Sequence, residues 1–299
     1  MGGIGGSGYN NYSASETEVT SAAQVPSGAL TGWPNGYSEF CVAKYEVSQG
    51  GWVDFLNTLS DAEAEWYYAP YNKDGTWGVN QGSFGNNVLA SGAADNTFST
   101  TTPTRGMNFL NWNDCRAYAC WCGLRPMTEM EFEKAGRGAS TYGPEGGKAT
   151  YPWGNEAPST TTGPIEGGTH TIYRANYYES GISQKPIQVG WYLAQSYAND
   201  DYTGASIYGV TDLAGNNFEH MLNCQSISIP QHGNGSVITG SAPDYTGFNW
   251  PNASSGKGLR GGGWTTSSSP LPVSYRYFAG WTDAFRDGGV GFRPARILD

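Results

Sequence analysis

The sequence predicts an α+β chain dominated by loops, with few regular elements, and three observations carry that prediction. Helical periodicity is confined to a few short windows between residues 39 and 138. Gly contributes 44 of the 299 residues, and with Pro, Asn and Ser it punctuates the second half of the chain every few positions. Apolar residues make up 38%, enough for a core, and 20 Tyr with 11 Trp make that core aromatic. No internal repeat at solenoid or propeller spacing competes with this reading.

Residues 1–37 are rich in Gly, Ser, Asn and Pro without a sustained period and read as an arm or linker, followed by one domain over 38–299. From Phe40, FCVAKYEVS alternates like a strand. Ser48 is placed to cap a helix over QGGWVDFLNTL, with Trp52, Phe55, Leu56 and Leu59 on one face. The glycines at 50 and 51 weaken that helix by about 1 kcal/mol each relative to Ala, so tertiary packing has to hold it. In NWNDCRAYACWCG, Asn113 is the expected N-cap and Gly123 the stop. TEMEFEKA opens a third helix with capping-box spacing, Glu131 reaching back to Thr128. Beyond residue 138 the helical signals fade, and a polar insertion from about 225 to 258 is longer than most structural loops.

Charge and cysteine usage exclude several functions. The net charge is -10 and no basic run exists, so a nucleic-acid partner, which needs clustered Lys and Arg, is not expected. No apolar run reaches the roughly 18 to 20 residues of a transmembrane helix, and the N-terminus has no basic and apolar signal pattern. Low charge with abundant Tyr, Asn, Gly and Thr places the expected location outside the cell or on a particle surface. Five cysteines, three of them within residues 115–122, do not make a disulfide framework and read mostly as buried thiols. The Gly-rich GGIGGSG has neither a strand before it nor a helix after it, so it is an arm and not a dinucleotide fingerprint.

Read in order, YEVSQGGWVDFLN, PTRGMNFLNWNDCRAYACWCGLRPMTEMEFEKAGRG, YPWGNE, YGVTDLAGNNFEH, LRGGGW, VSYRY and VGFRPAR resemble the successive motifs of the formylglycine-generating enzyme, or sulfatase-modifying factor, family. The resemblance is collinear from about Phe40 to Arg296. It implies a loop-rich α+β domain of the C-type lectin-like kind, with its ligand surface near the C-terminal segment. In the oxidase members two cysteines, five positions apart after the R-G-G motif, bind copper, and soft thiolates suit Cu(I). The matching positions here are Thr266 and Leu271, and the serine after R-G-G is Gly263. The family's iron-dependent branch uses histidines in an extra domain, whereas His170, His220 and His232 are scattered. Neither copper nor iron is expected.

The resemblance further implies a structural calcium on the side chains of Asp212 and Glu219 and the carbonyls of Gly215 and Asn217, hard oxygen donors on a tight Gly-containing loop. A second calcium loop would use Asn176, the Tyr177 carbonyl and Glu179, but it lacks the oxidases' Asp. The alternative is that Asp212 caps the turn and Glu219 binds backbone N–H groups. Trp264, Tyr275, Tyr277, Phe278, Trp281 and Phe285 are the candidate ligand-binding set; of the first five, two or three are expected to be exposed, the alternative being that all five are core. Asp283, Arg286 and Asp287 read as a hydrogen-bonded turn, because no nucleophile stands near them. Together these features point away from an enzyme and toward a sulfatase-modifying-factor-like binding or assembly surface, whose partner is a protein, a glycan or another copy of the chain. A diversified receptor of this fold and a subunit of a filament or virion are the alternatives, and a formylglycine-type oxidase ranks last.

Overall fold

The computed structural model describes residues 34, 36, 38–68, 84–90, 97–138, 149–154, 158, 161–165, 168–172, 174–178, 185–194, 203–223, 228–240, 243–252, 255–281 and 286–298. In chain order these form β1 (Phe40–Val42), α1 (Gln49–Asn57), α2 (Asp61–Tyr68), β2 (Val88–Ala90), β3 (Phe98–Thr100), α3 (Trp112–Trp121), β4 (Arg125–Pro126), α4 (Glu129–Arg137), β5 (Thr161–Ile165), β6 (Gly168–Ile172), α5 (Trp191–Ala194), β7 (Phe218–Leu222), β8 (Lys257–Arg260), β9 (Val290–Phe292) and β10 (Pro294–Ile297). The α+β, loop-rich class is the one the sequence predicts.

Two three-stranded sheets set the frame. In one, β10 lies between β1 and β4, and Phe40 pairs with Ile297, so the two ends of the domain close on each other. In the other, β7 runs antiparallel to β8 and parallel to β9. Every residue of β7 is buried, and a strand covered on both faces has no need of the polar alternation of a half-exposed one.

Helix signals were local and mostly accurate. Ser48 caps α1 by accepting from the Gly51 N–H, and Trp52, Phe55 and Leu56 are buried as the periodicity requires. The glycine pair has a packing reason: a Cβ on Gly50 would lie 2.9 Å from the Pro103 carbonyl, and the Gly50 N–H donates to that same oxygen. Thr128 and Glu131 form the expected capping box on α4. In α3, however, the N-cap is Asn111 instead of Asn113, because Asp114 lies three residues after Asn111 and completes the box with it. The alternating stretch after Phe40 is a strand only as far as Val42.

The insertion sends two aromatic side chains into the core. Tyr245 and Trp250 are buried and stacked 5.8 Å apart within the main aromatic core, beside α1, α2 and α3. Tyr67 Oη donates to the Ile238 carbonyl, and Trp112 Nε1 donates to that of Pro251. A Cβ on Gly233 would meet the Cys120 Cα at 2.4 Å, so this loop lies directly on the end of α3. At the other boundary, Pro34 accepts a hydrogen bond from Thr128 Oγ1, and Pro34 and Gly36 are buried beside α4. The rest of the 1–37 arm, Ser38 onward being domain, lies outside the described residues.

Candidate functional site

The C-terminal segment is built around β8. Beyond Arg260 the chain turns through Gly261 and Gly262 at φ +94° and +71°, and a Cβ on Gly262 would press on Leu271 and the Pro270 backbone. Trp264 follows, buried, with its indole N–H donating to the Gly288 carbonyl at 3.0 Å. Thr266 closes the turn: its hydroxyl donates to the Gly263 carbonyl and accepts from the Gly263 N–H. Leu271 is fully buried among Ala175, Tyr177 and Ala214. The two positions implied for copper thiolates therefore hold a turn-closing hydroxyl and a core leucine.

The buried cysteines described elsewhere offer no ready thiolate in their place. Among the described residues Cys41, Cys115, Cys120 and Cys122 are free. Burial drives the Cys115 thiol well above its ordinary range, and burial pushes Cys122 up to about 11. Both are neutral thiols at neutral pH, poor metal ligands and poor nucleophiles.

Residues 271–281 form a loop held against β8 through its main-chain carbonyls. Arg260 donates to the carbonyls of Val273 and Tyr275, at 2.8 and 2.9 Å. The Leu259 N–H takes that of Phe278, Asn223 takes that of Ala279, and the Lys257 ammonium takes that of Trp281. A Cβ on Gly258 would stand 2.0 Å from the Ala279 oxygen, so only glycine allows this approach. One loop side chain is also anchored, Arg276, which grips Glu129 of α4.

With the backbone fixed, the aromatic side chains divide. Phe278 is half-buried and packs edge-on against Phe218 at 5.2 Å. It also meets Tyr277 at 4.9 Å and Trp281 at 5.5 Å, both near perpendicular, contacts worth about 0.5 to 1.5 kcal/mol each. Tyr277 is 64% exposed and Trp281 38%, and Tyr275 is half-buried 6.4 Å from Tyr277. Of the candidate set, Tyr277 and Trp281 are exposed, Tyr275 and Phe278 partly so, and Trp264 is core; Phe285 lies outside the described residues.

The acidic loop lies beneath β7. Asp212, Gly215 and Asn216 have φ of +58°, +83° and +61°, which curl DLAGNN back on itself. Asp212 Oδ2 accepts from the Gly190 N–H at 2.7 Å and from the Thr211 hydroxyl. Glu219 Oε1 is gripped by Arg293 Nε and Nη2, whereas its Oε2 is buried without a hydrogen-bond partner. Glu46 accepts from Asn216 Nδ2, the Asn217 N–H and Asn217 Nδ2. Burial pushes the Glu46 carboxyl well above the ordinary carboxylate range, and the charges of Asp212 and Glu219 add to it. Burial also raises Asp212 and Glu219, against the pull of Arg293.

Three buried carboxylates thus share one guanidinium, and the unpaired Glu219 oxygen fits a hard cation. Among the described residues no three His, Cys, Asp or Glu side chains converge on one point, so a cation here would need the Gly215 and Asn217 carbonyls as well. In the second loop Asn176 Oδ1 is buried and unpaired, Tyr177 is buried, and Glu179 lies outside the described residues.

The remaining polar candidates serve the fold. Arg286 reaches Asp114 in α3; Asp287 Oδ1 accepts the Gly289 N–H. Asp283 lies outside the described residues. His220 is buried with its Nε2 3.2 Å from the Leu110 carbonyl, and His232 accepts the Ile297 N–H. Sequence reasoning missed Glu46, Lys257, Asn223 and Arg293, whose partners lie 24 or more positions away along the chain.

The profile of the sulfatase-modifying factor enzyme 1-like domain matches residues 32–298. The formylglycine-generating enzyme of Thermomonospora curvata is 31% identical over 128 residues, 40% of this chain and 34% of that protein. The inactive C-alpha-formylglycine-generating enzyme 2 of Bos taurus is 36% identical over 110 residues, 37% of this chain and 30% of that protein. The matched stretches therefore span about a third of these relatives. Among solved structures, Treponema denticola variable protein 1 aligns with a TM-score of 0.41 and 17% identity, covering 87% of this chain and 84% of that one.

Proposed function

The chain belongs to the family of sulfatase-modifying factor enzyme 1-like domains, and from that premise we propose that it is a non-catalytic member whose C-terminal segment presents a binding surface. One observation supports the reading: the positions that the family resemblance assigns to the thiols hold Thr266 and Leu271, while residues 271–281 hold Tyr277 and Trp281 toward solvent on a backbone anchored at five carbonyls. Preorganising a loop in this way lowers the entropic cost of binding. A core leucine and a turn-closing threonine offer copper no soft ligand.

The surface acts outside the cell or on a particle, toward a protein, glycan or second copy of the chain. A structural Ca²⁺ sits on Asp212, Glu219 and the carbonyls of Gly215 and Asn217, bracing the loop that precedes β7. Anchoring through backbone carbonyls also favours the diversified-receptor version, because the exposed side chains can change while the anchors stay.

The test is copper loading followed by oxygen consumption with a Cys-containing peptide. No copper-dependent turnover is expected. Robust turnover would sink the proposal.

A further inference from the structure

We propose that Asn234 is a site of spontaneous deamidation, restrained by the seating of the insertion on the end of α3 and one-way once isoaspartate forms. The site lies apart from the aromatic loop and does not depend on the binding-surface reading.

Asn234 precedes Gly235, and a glycine there leaves its own backbone nitrogen open to approach. Both residues are exposed, Gly235 has φ +84°, and nothing lies within 4 Å of where its Cβ would stand. In the reaction the Gly235 nitrogen attacks Asn234 Cγ and forms a C–N bond. The Cγ–Nδ2 bond breaks, and ammonia leaves with the proton the Gly235 nitrogen gives up. Water then opens the succinimide ring to aspartate or isoaspartate, so one water enters and one ammonia departs.

The contacts of these two residues divide into those that travel with the loop and those that tie it down. Asn234 Oδ1 accepts from the Ser236 N–H at 3.1 Å and from the Ser236 hydroxyl at 2.6 Å. These local donors are placed to stabilise the oxyanion that develops on Oδ1 as the nitrogen attacks. The Gly235 N–H, by contrast, donates to the Cys120 carbonyl at 2.9 Å, and the Cys120 thiol donates to Asn234 Oδ1. The Gly233 N–H holds the same seat through the Leu124 carbonyl at 2.8 Å. The nucleophile is therefore engaged while residues 233–235 sit on α3, and ring closure waits for a local opening that costs less than global unfolding. Isoaspartate routes the chain through the side-chain carbon and adds one backbone atom between residues 234 and 235. The Gly233 and Gly235 N–H groups then lose their common register with Leu124 and Cys120, and the loop cannot return to its seat.

The test incubates the full chain at mildly alkaline pH and physiological temperature, and reads each asparagine by peptide mapping with mass spectrometry. A synthetic peptide of residues 228–240 serves as the unseated reference. Asn234 should convert about tenfold or more slowly in the native chain than in the peptide. Gly233→Ala, whose added methyl would collide with the Cys120 backbone, should raise the native rate about tenfold with Asn234, Gly235 and Ser236 unchanged. Amide exchange at Gly235 should rise with it, and Ser236→Ala should slow conversion several-fold in chain and peptide alike. Should Gly233→Ala fail to fold, urea below the parent's unfolding transition must accelerate conversion instead. Equal rates in chain and peptide, or a native rate that neither perturbation raises, would overturn the proposal. The isoaspartate form, separated by chromatography, should have a lower Tm and an unprotected Gly235 amide; parent-like values would overturn the one-way step.

Discussion

Arg286 holds both carboxylate oxygens of Asp114, with Nε to Oδ2 at 2.7 Å and Nη2 to Oδ1 at 2.5 Å. Asp114 is also the third residue of α3 and takes the Asn111 N–H, so one buried carboxylate caps the helix and ties the C-terminal segment to it. Breaking a buried pair leaves an uncompensated charge, at a cost of about 3 to 5 kcal/mol. Arg286→Ala and Asp114→Ala should each lose about that much in urea unfolding. The double variant should cost clearly less than the two added together; strict additivity would mean the pair does not interact.

Trp264 and Tyr277 come from one candidate set but have opposite surroundings, 4% against 64% exposed. Trp264→Ala should destabilise by about 3 to 5 kcal/mol through cavity formation and the lost bond to Gly288. Tyr277→Ala should stay within about 1 kcal/mol of the parent. Equal losses would show that Tyr277 belongs to the core.

What could be read from the sequence follows from how local each interaction is. The caps at Ser48 and Thr128 were legible because donor and acceptor lie three residues apart. Glu46 with Asn217 and Arg286 with Asp114 join residues 171 and 172 positions apart, and no local pattern announces such a pairing. Helix α2 escaped notice because DAEAEWYY buries only Ala64 and Tyr67, too little for a stripe. The 225–258 insertion reads as a long polar loop on its composition, and nothing local in that composition announces that Tyr245 and Trp250 join the core. At the site, the missing thiols were legible through the family motif, whereas the carbonyl anchors of the aromatic loop were not, since backbone acceptors leave no trace in side-chain identity.

Gly258 tests the anchoring of that loop. A methyl group there would lie 2.0 Å from the Ala279 oxygen and 2.2 Å from its carbonyl carbon, a clash with backbone that no rotamer change relieves. Gly258→Ala should cost about 1 to 3 kcal/mol and lower Tm by about 5 °C, with displacement of residues 278–281. Trp281 fluorescence should report the displacement. An unchanged Tm would mean the loop is not seated on β8.

Thiol reactivity should separate the cysteines by exposure and proton affinity. Cys41 is exposed on β1, whereas Cys115 is fully buried and Cys122 is held up to about 11 by burial. Because the thiolate is the reactive form and its fraction grows with pH, only about one Cys122 thiol in a thousand is ionised at about pH 8. Among the four described cysteines, iodoacetamide should therefore modify Cys41 first in the native protein. The Cys122 rate should rise about tenfold per pH unit toward pH 11. Peptide mapping by mass spectrometry reads both, and rapid labelling of Cys122 at neutral pH would contradict its burial.

Calcium should act through the unpaired oxygen of Glu219. Three buried carboxyl groups share one guanidinium beneath β7, and burial pushes each of them toward its protonated form, which a bound divalent cation would oppose. A divalent cation bound only by the folded state stabilises it by mass action, about 2.7 kcal/mol at a hundred times Kd. Adding Ca²⁺ to chelator-treated protein should raise Tm by several degrees, and Mg²⁺ should do less, since it demands stricter octahedral geometry. Glu219→Gln keeps an acceptor toward Arg293 but removes the charge, and Asp212→Asn does the same toward Gly190. Both variants should lose the calcium response. A parent protein with the same Tm in chelator and in millimolar Ca²⁺ would leave Asp212 as a turn cap and Glu219 as the partner of Arg293 alone.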